Sequence, residues 1–144
     1  MIEIKNKKAY FNYKIESEIE AGIALVGTEI KSIRKGSADL GDSFARIKNN
    51  EIELINMYIA KYQEGNRFNH DERRTRKLLL HKAEIVRLAK EVDREGCTIV
   101  PLKLYFKKNK VKILLGIGKG KKHFDKRETI KKRDLEREAK RNNL

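Results

Sequence analysis

The feature that most constrains this chain is a pair of alternating runs at residues 99–106 and 111–117, separated by Lys108-Asn109. Val100, Leu102, Leu104 and Phe106 alternate with Ile99, Pro101, Lys103 and Tyr105. Val111, Ile113, Leu115 and Ile117 alternate with Lys112 and Leu114. A period of two puts each set on one face of a strand, and a short link containing Asn turns the second strand back on the first. A long antiparallel hairpin is therefore expected. Pro101 has no N–H for a ladder, so it belongs at an edge or a bulge.

The remaining patterns build around that hairpin. Residues 10–15 alternate, with Phe11, Tyr13 and Ile15 on one face, and the strand resumes over residues 22–26 with Gly22 marking a bulge or bend. Thr28 reads as the N-cap of a short helix with Glu29 in its first turn. Ile30 and Ile33 share a face, Lys31, Arg34 and Lys35 project outward, and Gly36 stops the helix. Residues 43–48 and 51–60 read as two strands joined at Asn49-Asn50. The second becomes apolar on both faces, so it lies deep in the fold. Residues 61–76 read as a loop carrying His70, Arg73, Arg74 and Arg76. A helical region begins at Leu78–Leu80, with His81 and Glu84 as a capping pair and Ile85, Leu88, Ala89 and Val92 on one face. Gly96 ends it. Cys97 reads as a small buried hydrophobe before the next strand. These elements predict a mainly β fold. It is an OB-like closed antiparallel barrel with two or three peripheral helices over residues 1–118, followed by a basic tail over 119–144.

Charge decides the class of partner. The 144 residues hold 35 Lys and Arg against 21 Asp and Glu, a net charge of +14. The tail contributes 11 basic and 5 acidic residues, and its large apolar residues are Phe124, Ile130, Leu135 and Leu144. That is too little apolar surface to offset the entropy of ordering, although Glu128–Lys132 and Glu136–Lys140 are favourable helical pairs. The tail is expected to be disordered alone and helical against a partner. No apolar run approaches the roughly 20 residues of a membrane span, and the N-terminal residues form no secretory signal. With a single cysteine, the chain reads as cytoplasmic. It has no amphipathic basic helix with aromatics, so nucleic acid is favoured over a membrane surface.

No catalytic constellation stands out. The segment from Gly36 to Gly41 has the glycine spacing of a phosphate loop, but Asp42-Ser43 follows where Lys-Ser is needed, and a carboxylate there repels phosphate. His70, His81 and His123 fall in no metal-ligand spacing. The chain is therefore expected to be a binding protein rather than an enzyme, with no cofactor and no metal. Three basic regions remain: Asn6-Lys7-Lys8 beside Tyr10 and Phe11, the Arg73–Lys77 cluster, and the tail. Cations supply affinity for phosphates, and aromatic and hydrogen-bonding groups recognise exposed bases.

Five ordered segments then carry a resemblance: residues 20–34 (EAGIALVGTEIKSIR), 42–44 (DSF), 74–81 (RTRKLLLH), 118–122 (GKGKK) and 125–127 (DKR). On these the chain resembles small protein B, the SsrA (tmRNA)-binding family of bacterial trans-translation, from about Asn6 to Arg137. The resemblance implies an adaptor that binds the tRNA-like domain of tmRNA and brings it to stalled ribosomes. The tail would probe the empty mRNA channel near the decoding centre of small-subunit rRNA. Elongation factor Tu would be an indirect partner through alanyl-tmRNA, and the outcome is ribosome rescue with tagging of the incomplete protein.

The resemblance gives RNA contacts to Asn6, Lys7, Lys8, Glu20, Arg76, Lys77, Leu80, Lys119, Lys121 and Lys122. It gives ribosome contacts to Phe124, Asp125, Lys126, Arg127, Ile130, Lys131, Lys132 and Arg133. Many relatives carry His before the Asp-Lys-Arg triplet, where this chain has Phe124. The glycines at 118 and 120 read as a basic hinge. A ribosomal or general RNA-binding protein on the same barrel is the alternative.

Overall fold

The computed structural model describes residues 2–121, 127 and 130–137. Among them are nine strands, which we number with the helices in chain order: β1 Glu3–Lys5, α1 Lys7–Asn12, β2 Tyr13–Ile23, α2 Gly27–Arg34, β3 Ala38–Asp39, β4 Phe44–Lys48, β5 Glu51–Ile55, β6 Tyr58–Ile59, β7 Arg76–Leu79, α3 Lys82–Glu95, β8 Thr98–Lys107 and β9 Lys110–Gly120. A short 3-10 helix covers Gln63–Phe68. Seven strands form one antiparallel sheet in the order β1-β8-β4-β5-β7-β2-β9, and β9 also pairs with β8. The succession from β8 through β4, β5, β7, β2 and β9 thus returns to β8. β3 and β6 form a separate pair.

The hairpin of β8 and β9 runs from Thr98↔Gly118 to Lys107↔Lys110, and β2 pairs with the other edge of β9 over an equal length. Lys108 and Asn109 both take positive φ, 51° and 65°, the backbone a two-residue hairpin turn requires. The register shifts between Pro101 and Lys103, so the proline sits at a bulge. Asn49 and Asn50 close β4 onto β5 in the same way, with φ of 52° and 62°. The core is aliphatic. Ile52, Leu54, Met57, Ile59, Leu102, Ile113 and Leu115 are without solvent exposure, each such burial stabilising by about 1.5–3 kcal/mol. Cys97 is buried just ahead of β8.

Several expectations are corrected. Residues 10–12 are not a strand. Asn6 caps α1, its side-chain oxygen accepting from the Ala9 N–H at 3.2 Å, while its Nδ2 donates to Leu40 O at 3.2 Å and Pro101 O at 2.8 Å. The apparent alternation of Phe11 with Tyr13 straddles the end of this helix and the start of β2. The irregularity in β2 lies between Ile15 and Ser17, not at Gly22. Gly22 is a regular ladder position facing Leu79, whose Cβ lies 3.2 Å from where a glycine-22 Cβ would stand.

Thr28 does not cap α2. Its hydroxyl is 2.8 Å from His70 Nδ1, and the Val26 N–H donates instead to Glu29 Oε1 at 3.0 Å. The strand expected over 51–60 is two, broken where Asn56 takes φ 69°. Leu78 and Leu79 lie in β7 rather than in a helix, Leu78 between Ile52 of β5 and Ile23 of β2 and Leu79 opposite Gly22 of β2. The helix starts only at Lys82, where Glu84 accepts from the His81 N–H, and ends at Gly96 in the left-handed conformation.

The glycines at 118 and 120 are not a hinge. β9 continues through them opposite Ile15 and Tyr13. A Cβ on Gly118 would stand 2.3 Å from Lys14 O, so this position is a close backbone approach. Beyond it, residues 130–137 are helical and their side chains are all exposed, Ile130 by 46% and Leu135 by 66%.

Candidate nucleic-acid interface

An arginine in a core-facing position organises the surface. In β7 the odd and even residues separate cleanly: Arg76 and Leu78 face in, Lys77 and Leu79 face out. Arg76 has no solvent exposure. Its Nε donates to Glu29 Oε2, its Nη1 to Met57 O at 2.6 Å and its Nη2 to Glu72 O at 3.2 Å. Glu29 is equally buried and also accepts from Arg74 Nη2 at 2.6 Å. Burial alone pushes the Glu29 carboxyl up. Hydrogen bonds from Arg74, the Val26 N–H and Arg76 outweigh it and hold the carboxyl below its ordinary value. For Arg76, burial pulls the guanidinium pKa down against the opposing effect of Glu29.

Arg76 is therefore not a surface cation for RNA, as the sequence suggested. Its charge and hydrogen bonds are committed to a clamp that ties β7 to α2. Asn6 is corrected likewise. It is buried beneath α1, and its amide is spent on the Leu40 and Pro101 carbonyls.

The clamp presents the outward side of β7 to an open groove of about 510 Å³. Glu20 and Gly22 of β2, Lys77 and Leu79 of β7, Leu80, and Lys112 of β9 line it. The structure thus brings together Glu20, Lys77 and Leu80, which lie up to 60 residues apart in the chain. Lys77 Nζ contacts Glu51 at 3.3 Å. Leu80 is half-buried against the core, whereas Leu79 is 52% exposed. The Tyr105 hydroxyl donates to Glu20 Oε2, and Lys107 Nζ donates to Oε1 at 3.3 Å. The Tyr105 hydrogen bond is the main cause of a Glu20 carboxyl held below its ordinary value, with Lys107 and Lys112 adding to it.

Carboxylates and ammonium groups alternate in this groove. It can accept from base N–H groups and 2′-hydroxyls and still hold phosphates, a mixture suited to folded RNA rather than to a bare polyanion.

Lys112 is the groove residue that sequence reasoning missed, and Tyr105, which stands beside the groove on β8, is the partner of Glu20 that it missed. Lys112 reads there only as a polar strand position. It belongs to the groove because β9 sets it opposite Gly22, which has no side chain to cover it.

A second group surrounds α1. Lys7 and Lys8 are exposed on the helix, and Lys8 lies 3.6 Å from Asp42. Lys119 is exposed on β9 opposite Lys14. The Lys121 N–H donates to Asn12 O at 2.7 Å and its Nζ to Tyr10 O at 3.3 Å, fastening the end of β9 to α1. The Lys5 ammonium stands 5.6 Å from the Tyr10 ring centroid, and the Arg133 guanidinium stands 5.2 Å from that of Phe11. The two groups lie near Tyr13 and Glu20 of β2, roughly 20–24 Å apart at a strand rise of about 3.4 Å per residue. Arg127, Ile130, Lys131, Lys132 and Arg133 lie in helical backbone and are exposed. Lys122, Phe124, Asp125 and Lys126 lie outside the described residues. Among the described residues no cluster of His, Cys, Asp or Glu has the arrangement of a metal site, and no helix is long and apolar enough to cross a membrane.

The family model described as SmpB protein matches residues 3–143 of this chain. The chain belongs to the SmpB family. It is 59% identical over 134 residues to the SsrA-binding protein of Carboxydothermus hydrogenoformans, covering 93% of this chain and 90% of that one. It is 56% identical over 135 residues to the SsrA-binding protein of Staphylococcus aureus, covering 94% and 88%. Among solved structures it is similar to a chain described under "tmRNA-SmpB: a journey to the center of the bacterial ribosome". The TM-score is 0.71 at 49% identity, over 84% of this chain and 85% of that chain. The family resemblance read from the five sequence segments is thereby established.

Proposed function

We infer that this SmpB-family chain is a cytoplasmic tmRNA-binding adaptor of trans-translation. It holds the tRNA-like domain of tmRNA and carries it to stalled ribosomes. The observation that carries this reading is the convergence of Glu20 with Lys77–Leu80 and Lys112 in one groove of mixed charge. Two of the segments that mark the family meet there, and the match to SsrA-binding proteins names the RNA. The sheet is read as a closed OB-like barrel, supported by the return of β9 onto β8. The protein acts by binding and positioning, not by turnover.

In this account the groove and the α1 group hold the RNA, with Lys7, Lys8, Lys119, Lys121 and Lys122 supplying phosphate contacts. Asn6 and Arg76 act from beneath by fixing α1 and β7. The tail reads the ribosome. Phe124 to Arg127 and Ile130 to Arg133 contact small-subunit rRNA along the empty mRNA channel, while alanyl-tmRNA is delivered with elongation factor Tu. An eight-residue helix without a buried face is marginal by itself, so the 130–137 helix becomes fixed only against that partner.

The test is Glu20→Ala, measured against the isolated tRNA-like domain and against an unstructured RNA of equal length. Removing a carboxylate raises the net charge, so a purely electrostatic surface binds both RNAs more tightly. A specific contact made by a charged acceptor is worth about 1.5–3 kcal/mol, a loss of roughly ten- to a hundredfold. The expected result is that loss for the tRNA-like domain, with binding to unstructured RNA unchanged or stronger. Equal strengthening toward both would make Glu20 a bystander and remove the groove from the interface.

A further inference from the structure

The outward face of the sheet beside the groove carries one side chain that neither the family segments nor the groove lining account for. Tyr105 of β8 stands opposite Lys112 of β9, which stands opposite Gly22 of β2, so one row crosses three strands. Glu20 lies two residues before Gly22, on the same face and diagonal to Lys112. The tyrosine crosses that diagonal. Its hydroxyl donates to Glu20 Oε2 while Lys107 Nζ, two residues further along β8, donates to Oε1 at 3.3 Å.

A free glutamate on a strand rotates about three torsions. Here each carboxylate oxygen is held from the β8 side by one donor. A carboxylate has about four acceptor sites, so the remaining ones stay open toward the groove. We propose that Tyr105, assisted by Lys107, is a positioning residue that fixes the Glu20 carboxylate as an oriented acceptor for base N–H and 2′-hydroxyl donors of the tRNA-like RNA. This rests on the reading of Glu20 as an RNA contact and deepens it.

The chemistry favours the arrangement. A preformed acceptor loses little side-chain freedom on binding, and its two donors are already aligned on it. Burial, joined by the Glu20 hydrogen bond and charge and the nearby Glu3, pushes the Tyr105 phenol up to about 12. The phenol therefore remains a donor throughout the physiological range. Lys107 and Lys112 face Glu20 as well and offset its repulsion of approaching phosphates.

Tyr105→Phe keeps the ring and removes only the hydroxyl, on a partly buried side chain outside the core, so the fold is retained. Affinity for the isolated tRNA-like domain is measured for wild type, Tyr105→Phe, Glu20→Ala and the double variant, with unstructured RNA alongside. The expected result is a loss of roughly five- to tenfold for Tyr105→Phe on the tRNA-like domain alone. In the Glu20→Ala background, Tyr105→Phe adds nothing. A second readout needs no RNA: the Glu20 carboxyl, followed by NMR across pH, titrates higher in Tyr105→Phe than in wild type.

Unchanged affinity in Tyr105→Phe, or the same loss with and without Glu20, overturns the proposal, as does an unmoved Glu20 titration. If Glu20→Ala itself leaves the RNA preference intact, the groove reading and this proposal fail together. A failure confined to Tyr105→Phe leaves the groove reading standing.

Discussion

Glu29→Ala lowers the stability of the folded chain by about 3–5 kcal/mol, and Arg76→Ala does the same within that range. Both side chains are fully buried; Glu29 is the carboxylate that Arg76 pairs with, and Arg74 holds it as well. Removing Glu29 leaves the Arg76 guanidinium in the core, with only the Met57, Asp71 and Glu72 carbonyls to hold it. It also frees the Val26 N–H at the start of α2. A domain stable by about 5–15 kcal/mol loses roughly a fifth or more of its margin in this way.

Replacing the pair together, as Glu29→Leu with Arg76→Met, removes both charges at once and costs much less than either single change. Urea unfolding of the three variants measures this. Single losses below about 1 kcal/mol would show that the clamp is not what secures β7. The clamp also gives a pH dependence of known sign. The Glu29 carboxyl is depressed in the folded chain, so its contribution is full above the unfolded value near 4.5 and is lost as pH falls through the lower folded value. Glu29→Ala flattens that acid limb.

Ending the chain at Lys122 separates the two halves of the activity. The last buried residues of β9 are Ile117 and Gly118, and the strand is complete at Gly120. Lys121 closes it onto α1 through hydrogen bonds to Asn12 and Tyr10. The truncated protein therefore unfolds at a denaturant midpoint close to that of the full chain. It binds the tRNA-like domain within a few-fold of full affinity, since the groove and the α1 group are intact. Peptide tagging on stalled ribosomes in a reconstituted translation system collapses to background, because the cations and apolar side chains of residues 124–141 are gone. Tagging at the normal rate by the truncated protein would reduce the tail to a source of general positive charge.

The parts of the fold that were legible in the sequence are those where local pattern and tertiary role agree. β8 and β9 alternate on both faces and are joined at a turn that needs two left-handed residues. α3 carries Ile85, Leu88 and Val92 at helical spacing and stops at Gly96. The errors occur where a tertiary partner overrules the pattern. Leu78–Leu80 is a short apolar run that periodicity cannot assign, and only pairing with β5 and β2 makes part of it a strand. Phe11 alternates with Tyr13 but sits on a helix, because the Asn6 side chain is anchored to residues 34 and 95 positions away.

The site follows the same division. Glu20, Lys77 and Leu80 were found through their family segments, and the structure places them in one groove. Arg76 belongs to the same basic cluster as Lys77. The parity of β7 turns one inward and its neighbour outward, and a run of charges does not reveal that parity. Lys112 enters the groove, and Tyr105 reaches Glu20 beside it, only through the cross-strand register of β2, β9 and β8. Gly118 reads as a hinge by composition, yet it is a strand position where a Cβ would collide with Lys14 O of β2.

The central claim is that this groove selects one folded RNA. The RNA retained by the full-length protein when it is isolated from cells that express their own tmRNA tests it most directly, with Glu20→Ala isolated in parallel. The account predicts a single predominant species of tmRNA size with the wild-type chain, and its loss or marked depletion with Glu20→Ala. A broad mixture of RNAs in proportion to their abundance, the same for both proteins, would contradict it.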